Sequence, residues 1–310
     1  GGVLEVETPV LHTGHGGARA HPCRTYMNGY GEGLTLGIAP ELYLKRLVVG
    51  GSGPVYELGR DFRNEGADAT HNPEFTVLEA YRPYADYVQM RELTERLIKD
   101  AAQAVFGSVS LPLGRKASSE RVVRDVSGPW RVVSVCDALS EALGRRVDVQ
   151  TDFEELLALA QQHGVRVHEG MGPGAIVEEL YGELVEVHTV EPTFYTDFPA
   201  ETSPLAAPHR SVPGLAERWD LVINGMEMGC AYSELADPLV QRERLTEQSL
   251  KAASGDLEAM EVDEDFLYAL ETGMPPTGGL GLGVDRLVML LAQTQIRGVL
   301  SFPFVKPERS

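Results

Sequence analysis

The chain has 310 residues, 43% hydrophobic and 24% charged, with a net charge of -19 at pH 7. That balance belongs to a folded protein with a sizeable core and excludes intrinsic disorder. So large an acidic excess also excludes duplex binding through a broad basic surface, because phosphate neutralisation needs clustered Lys and Arg, although a local basic groove stays open. No window approaches eighteen uninterrupted apolar residues, and the opening GGVLEVETPV has neither the basic nor the long apolar part of a secretory leader. The three cysteines, Cys23, Cys136 and Cys230, are too few and scattered for a disulfide framework or a zinc site. The resulting expectation is a cytoplasmic chain with free thiols and no membrane contact of its own.

In chain order, residues 1 to 100 alternate short apolar runs with glycine-rich turns. They end in the helical pattern YVQMRELTERLIKDAAQAVF, where Val88, Leu93, Leu97, Ile98, Ala101 and Val105 can line one stripe. Residues 107 to 190 loosen into a Ser/Gly-rich connector and two short amphipathic helices, around 135 to 143 and 152 to 163, and are expected to form a partly helical insertion. From Thr193 the texture returns to strands, and residues 275 to 293 run from the glycine-rich PPTGGLGLG into the apolar helix VDRLVMLLAQ. The expected fold is α+β: one domain on a largely antiparallel sheet, with helices packed against it and an elaboration in its middle.

Two apolar-rich strands, VYEL (55 to 58) and FTVLEAY (75 to 81), flank the charged loop RNEGADATHNP, which predicts a hairpin. Side chains alternate along a strand, so Phe75, Val77, Glu79 and Tyr81 share one face. Glu79 is costly to bury there without a cationic partner, which a ligand ammonium can supply; the alternative is an edge strand with Glu79 in water.

In ERWDLVINGMEMGCAYSEL, Asn224-Gly225 is a two-residue hairpin turn that fixes the register. Val222 then faces Glu227, and Asp220 lies on the same face, diagonal to it. Two carboxylates on one face, with no Lys or Arg between them on those strands, suit a shared divalent cation or a solvated sheet face. In a regular strand Cys230, Tyr232 and Glu234 point away from Glu227. For Asp220, Glu227, Cys230, Tyr232 and Glu234 to line one pocket, a bulge near Gly229 is required. In GGLGLGVDRL, Arg286 falls in the first turn of a helix after glycines, a place where an anion can be held. No P-loop and no serine or cysteine nucleophile elbow is present.

Together these stretches resemble the three signature motifs of class II aminoacyl-tRNA synthetases, and in detail lysyl-tRNA synthetases. LEVETPVL resembles the end of motif 1, IAPELYLKRLVVGG a lysyl-family run, FRNEG with HNPEF motif 2, and GLGLGVDRLVML motif 3. Among relatives, THNPEF, HRSVPGLAERWDL and DEDFLYALETGMPPTGGLGLG are most similar to the synthetase-like half of actinobacterial bifunctional lysylphosphatidylglycerol proteins.

The resemblance implies an antiparallel class II sheet, a homodimer through motif 1, and activation of lysine by ATP and Mg2+ for transfer to the acceptor end of tRNA. It implies that Arg63 holds the α-phosphate, that Glu65 and His71 contact the nucleotide, that Phe75 stacks on adenine, and that Arg286 lies on the γ-phosphate side. Asp220, where many relatives have Glu, and Glu227 would carry magnesium. Glu41 would read the α-amino group, with Glu79, Tyr81 and Glu234 along the side chain and Cys230 and Tyr232 in the same pocket. Cys230 replaces the family's amide and Ala231 its glycine, so a changed amino-acid substrate is an alternative; His21 and Cys23 replace an Arg and a Phe. The N-terminal OB-fold that reads the anticodon is not expected in this chain. Protein-lysine ligation of the elongation-factor P type and a regulatory, non-catalytic role are the other readings.

Overall fold

The computed structural model describes residues 2–14, 16–114, 122–253, 255–256 and 258–306. They fall into two compact units, one comprising the residues up to Tyr84 with those from Ala236 on, the other Ala85–Leu235. The first part of the chain forms β1 (Leu4–Glu5), β2 (Leu11–His12), β3 (Arg24–Met27), β4 (Glu32–Leu36), α1 (Glu41–Val49), β5 (Val55–Phe62) and β6 (Glu74–Pro83). The middle adds α2 (Tyr87–Phe106), β7 (Ser110–Leu113), β8 (Val122–Asp125), β9 (Arg131–Ser134), α3 (Val135–Leu143), α4 (Phe153–His163), α5 (Pro173–Leu184), β10 (Thr193–Thr196), β11 (Arg218–Ile223) and β12 (Met226–Ser233). The last part holds α6 (Pro238–Ala253), α7 (Glu264–Gly273), β13 (Thr277–Gly283), α8 (Val284–Ala292) and α9 (Ile296–Val299).

In the first unit the strands run β1-β5-β6-β13, antiparallel except for the parallel β1 and β5. The predicted β5–β6 hairpin is present, with Glu57 opposite Glu79 and Asp61 opposite Phe75. Alternation holds along β6: Val77, Glu79 and Tyr81 are buried, while Thr76, Leu78 and Ala80 are half-exposed. The glycine-rich run read as a turn before a helix is instead strand β13, whose Gly279, Gly281 and Gly283 stand opposite Tyr81, Glu79 and Val77. Glycine lacks β-propensity, so the strand is set by its neighbour and not by its own residues. A Cβ at Gly281 would sit 3.9 Å from Glu79 Oε1, so the bare backbone leaves room over that carboxylate. Asp285, in the first turn of α8, accepts from the Thr76 backbone N–H at 2.8 Å and ties that helix to β6.

In the second unit the strands run β12-β11-β10-β9, antiparallel except for the parallel β9 and β10. Helices α3, α4 and α5 bury Leu139, Leu156, Leu159, Ile176 and Leu180 against Tyr195, Phe198 and Val222. Helix α2 spans the predicted residues, begins in a capping box on Asp86 and ends at Gly107, which has φ 70. Its buried stripe shares only Ile98 with the predicted one. Met90, Thr94, Ile98 and Ala102 are buried at spacing four, while Val105 is 59% exposed. Thr94 enters the core because its hydroxyl donates back to the Met90 carbonyl at 2.9 Å.

Candidate functional site

The first unit gathers most of the predicted residues. Glu41 opens α1 and is 5% exposed; the Lys45 Nζ, one turn on and wholly buried, donates to its Oε1 at 2.5 Å. Burial pushes the Glu41 carboxyl up and the Lys45 ammonium pulls against it. Glu79 is 7% exposed and accepts a hydrogen bond from the Tyr81 hydroxyl at 3.0 Å. Its carboxyl is pushed well above the usual range, first by burial, then by Asp61 and Glu41, against the Tyr81 hydrogen bond and Arg63. Asp61, which was not among the predicted residues, is pushed up to about 7 by burial, with Arg63 opposing and Glu57 adding. Its Oδ2 is buried without a hydrogen-bond partner among the described residues. Buried carboxylates thus outnumber their internal cations on this face, a surplus that a cationic ligand relieves.

Arg63 lies over the Phe75 ring at 5.2 Å, and its Nε and Nη2 donate to the Ile38 carbonyl at 3.4 Å each. Phe75 therefore meets this guanidinium through its ring face. Glu65 is exposed on the 63–73 loop. His71, on the same loop, lies with Nε2 3.0 Å from Arg286 Nη2.

The second unit holds the remaining predictions. Asn224 and Gly225 have φ 56 and φ 68, and Ile223 pairs Met226 as the turn requires. The register then shifts: Val222 faces Glu227, but Leu221 faces Gly229, so Met228 is the extra residue of a bulge. Cys230 now stands opposite Asp220 and Tyr232 opposite Arg218. The parity condition set by the sequence is met.

No Lys or Arg lies between Asp220 and Glu227 along the two strands, but one precedes them on β11. Arg218 holds Asp220 with Nε to Oδ1 at 3.0 Å and Nη2 to Oδ2 at 2.8 Å. The same guanidinium donates to Glu178 of α5 at 2.7 Å and lies over Phe198 at 4.0 Å. Period-two alternation on β11 puts Arg218 on the face of Asp220, a signal legible in the sequence. Asp220 is nevertheless pushed up to about 7, by burial first and by Glu227, against Arg218. Burial likewise pushes the Cys230 thiol well up, with Glu227 and Asp220 adding, and its Sγ is 3.7 Å from the Tyr232 hydroxyl. Glu234 is 4% exposed at the end of the same strand.

Among the described residues no group of three or more His, Cys, Asp or Glu could hold a metal ion. With Asp220 engaged by a guanidinium, the pair does not fit a resident ion.

The α+β fold agrees with family comparison. The family model for class II tRNA synthetases (D, K and N) matches residues 1–306, and the chain belongs to that family. It is 56% identical over 307 residues to the lysylphosphatidylglycerol biosynthesis bifunctional protein LysX of Nocardia farcinica, covering 99% of this chain and 27% of that protein. The LysX protein of Mycolicibacterium gilvum is 56% identical over 306 residues, with 99% and 28% covered, and that of Mycobacterium tuberculosis H37Rv 54% over 312 residues, with 99% and 27% covered. The chain thus spans a little over a quarter of these relatives. Among the described residues no helix is long and apolar enough to cross a membrane.

Proposed function

We propose that this chain is a lysine-activating ligase that forms lysyl-adenylate from lysine and magnesium ATP and passes the lysyl group to the acceptor end of tRNA. The lysyl group would then serve lysylphosphatidylglycerol synthesis, the process named for its relatives. The observation that carries this reading is Glu79: a carboxylate 7% exposed, hydrogen-bonded by Tyr81 and crowded by two further acids. A lysine ammonium relieves that crowding, and Glu41 offers a second carboxylate to the α-amino group.

In the proposed reaction a lysine carboxylate oxygen bonds to the α-phosphorus as the bond to the bridging oxygen breaks and pyrophosphate leaves. The protein need supply only position and charge. Arg63 takes the α-phosphate, Phe75 the adenine and Arg286 the far end of the triphosphate. A homodimer built through the N-terminal strands belongs to the same reading.

Pyrophosphate exchange into ATP, screened over amino acids, tests it: L-lysine should stimulate exchange most, and no dependence on any amino acid would remove the proposal. Label passing from the adenylate to a protein lysine instead of tRNA would move the chain to protein-lysine ligation.

A further inference from the structure

The 63–73 loop contains an acid that no motif resemblance accounts for. Asp68 Oδ1 accepts from the backbone N–H groups of Thr70 at 2.6 Å and His71 at 2.8 Å, and from the Thr70 hydroxyl at 3.0 Å. Both of its oxygens also lie against His71 Nδ1, at 3.0 and 2.9 Å, with the Thr70 hydroxyl 3.1 Å from the same nitrogen. Although burial works against it, these bonds hold the Asp68 carboxyl well below the usual range. The loop itself is fixed by the Ile296 N–H donating to the Ala69 carbonyl at 3.1 Å and the Phe304 N–H donating to Asn72 Oδ1 at 3.0 Å.

At the other side of the ring, Arg286 Nη2 is 3.0 Å from His71 Nε2. A guanidinium can only donate, so Nε2 presents its lone pair and the ring proton sits on Nδ1, where it donates to Asp68. The three side chains therefore form one directed chain: Arg286 to His71 to Asp68. We propose that Asp68 is a positioning residue, selecting the His71 tautomer that holds the Arg286 guanidinium in place for a polyphosphate. This deepens the nucleotide-binding reading of Arg286 and rests on it. Among the described residues, Asp68 from its own loop and Arg286 from α8 are the charged groups within hydrogen-bonding distance of the His71 ring, at 2.9 and 3.0 Å. Asp68 also makes an ordinary turn, and the test must separate the two roles.

Asp68→Asn separates them. Its amide oxygen can keep the two backbone bonds, but its NH2 group in place of Oδ2 calls for a lone pair on Nδ1, putting the proton on Nε2 against the guanidinium. Long-range 1H–15N spectra of the 15N-labelled chain, with His71 assigned by its loss in His71→Gln, should show the Nδ1–H form in the wild type and the Nε2–H form in Asp68→Asn. In pyrophosphate exchange, Asp68→Asn should raise KM for ATP on the order of tenfold to a hundredfold while leaving KM for the amino acid within about twofold. A wild-type ring in the Nε2–H form overturns the inference. So does Asp68→Asn behaving as wild type while Asp68→Ala fails, since that is the signature of a turn alone. Absence of exchange in the wild type would count against the activation reading, and the tautomer measurement would still decide this one.

Discussion

Arg218 holds both carboxylate oxygens of Asp220, its neighbour but one on the same strand, at 3.0 and 2.8 Å, and the two share one face with Glu227. The arginine side chain is 17% exposed and the aspartate 8%. Removing the cation leaves buried Asp220 and partly exposed Glu178 without it. Arg218→Met should therefore lower unfolding free energy by about 3–5 kcal/mol at pH 8. The loss should shrink at pH 5, where Asp220, already near 7 with its partner present, takes up a proton. Denaturant unfolding at the two pH values checks both parts.

The turn at Asn224-Gly225 carries the register of β11 and β12. Gly225 has φ 68, and a Cβ there would lie 2.7 Å from the Val187 carbonyl oxygen, so two penalties coincide. Gly225→Ala should cost about 2 kcal/mol or more, beyond the strain of a left-handed alanine alone. Thermal unfolding measures it; a cost below about 0.5 kcal/mol would place the turn elsewhere.

Asp61 gives the fold a pH dependence of definite sign. Its carboxyl rises from the ordinary 3.8 to about 7 on folding, so between those values the folded chain binds more protons than the unfolded one. Its contribution to stability is complete below 3.8, falls as pH rises toward 7, and stays low above that. Asp61→Asn removes this dependence. It should be more stable than wild type at pH 8 by about 1–3 kcal/mol, with the difference diminishing toward pH 5. Paired urea titrations at the two pH values decide it.

What could be read from the residues was mostly what local geometry dictates. Positive φ at Asn224 and Gly225 fixed one hairpin, period two fixed the Phe75, Glu79 and Tyr81 face, and parity alone demanded a bulge where Met228 supplies one. What escaped depends on contacts distant in sequence or on competing local cues. Asp61 reaches Glu79 through the β5–β6 pairing, Glu41 crowds it only once α1 packs on the hairpin, and Arg218 gains Glu178 from a helix forty residues away. The Thr277–Gly283 strand was hidden because its glycines signal a turn by themselves and a strand only beside β6. In α2, apolarity pointed to Leu93 and Leu97, whereas the buried row runs through Thr94, whose hydroxyl is satisfied within the helix.

Glu79 carries the central claim, and its measurement is direct. Steady-state pyrophosphate exchange on wild type and Glu79→Gln, varying lysine at saturating ATP and then ATP at saturating lysine, separates the two ligands. The account predicts that Glu79→Gln raises KM for lysine about a hundredfold or more, from the lost charged partner, while KM for ATP stays within about threefold. Equal losses for lysine and ATP, or a lysine KM unchanged by the substitution, would contradict it.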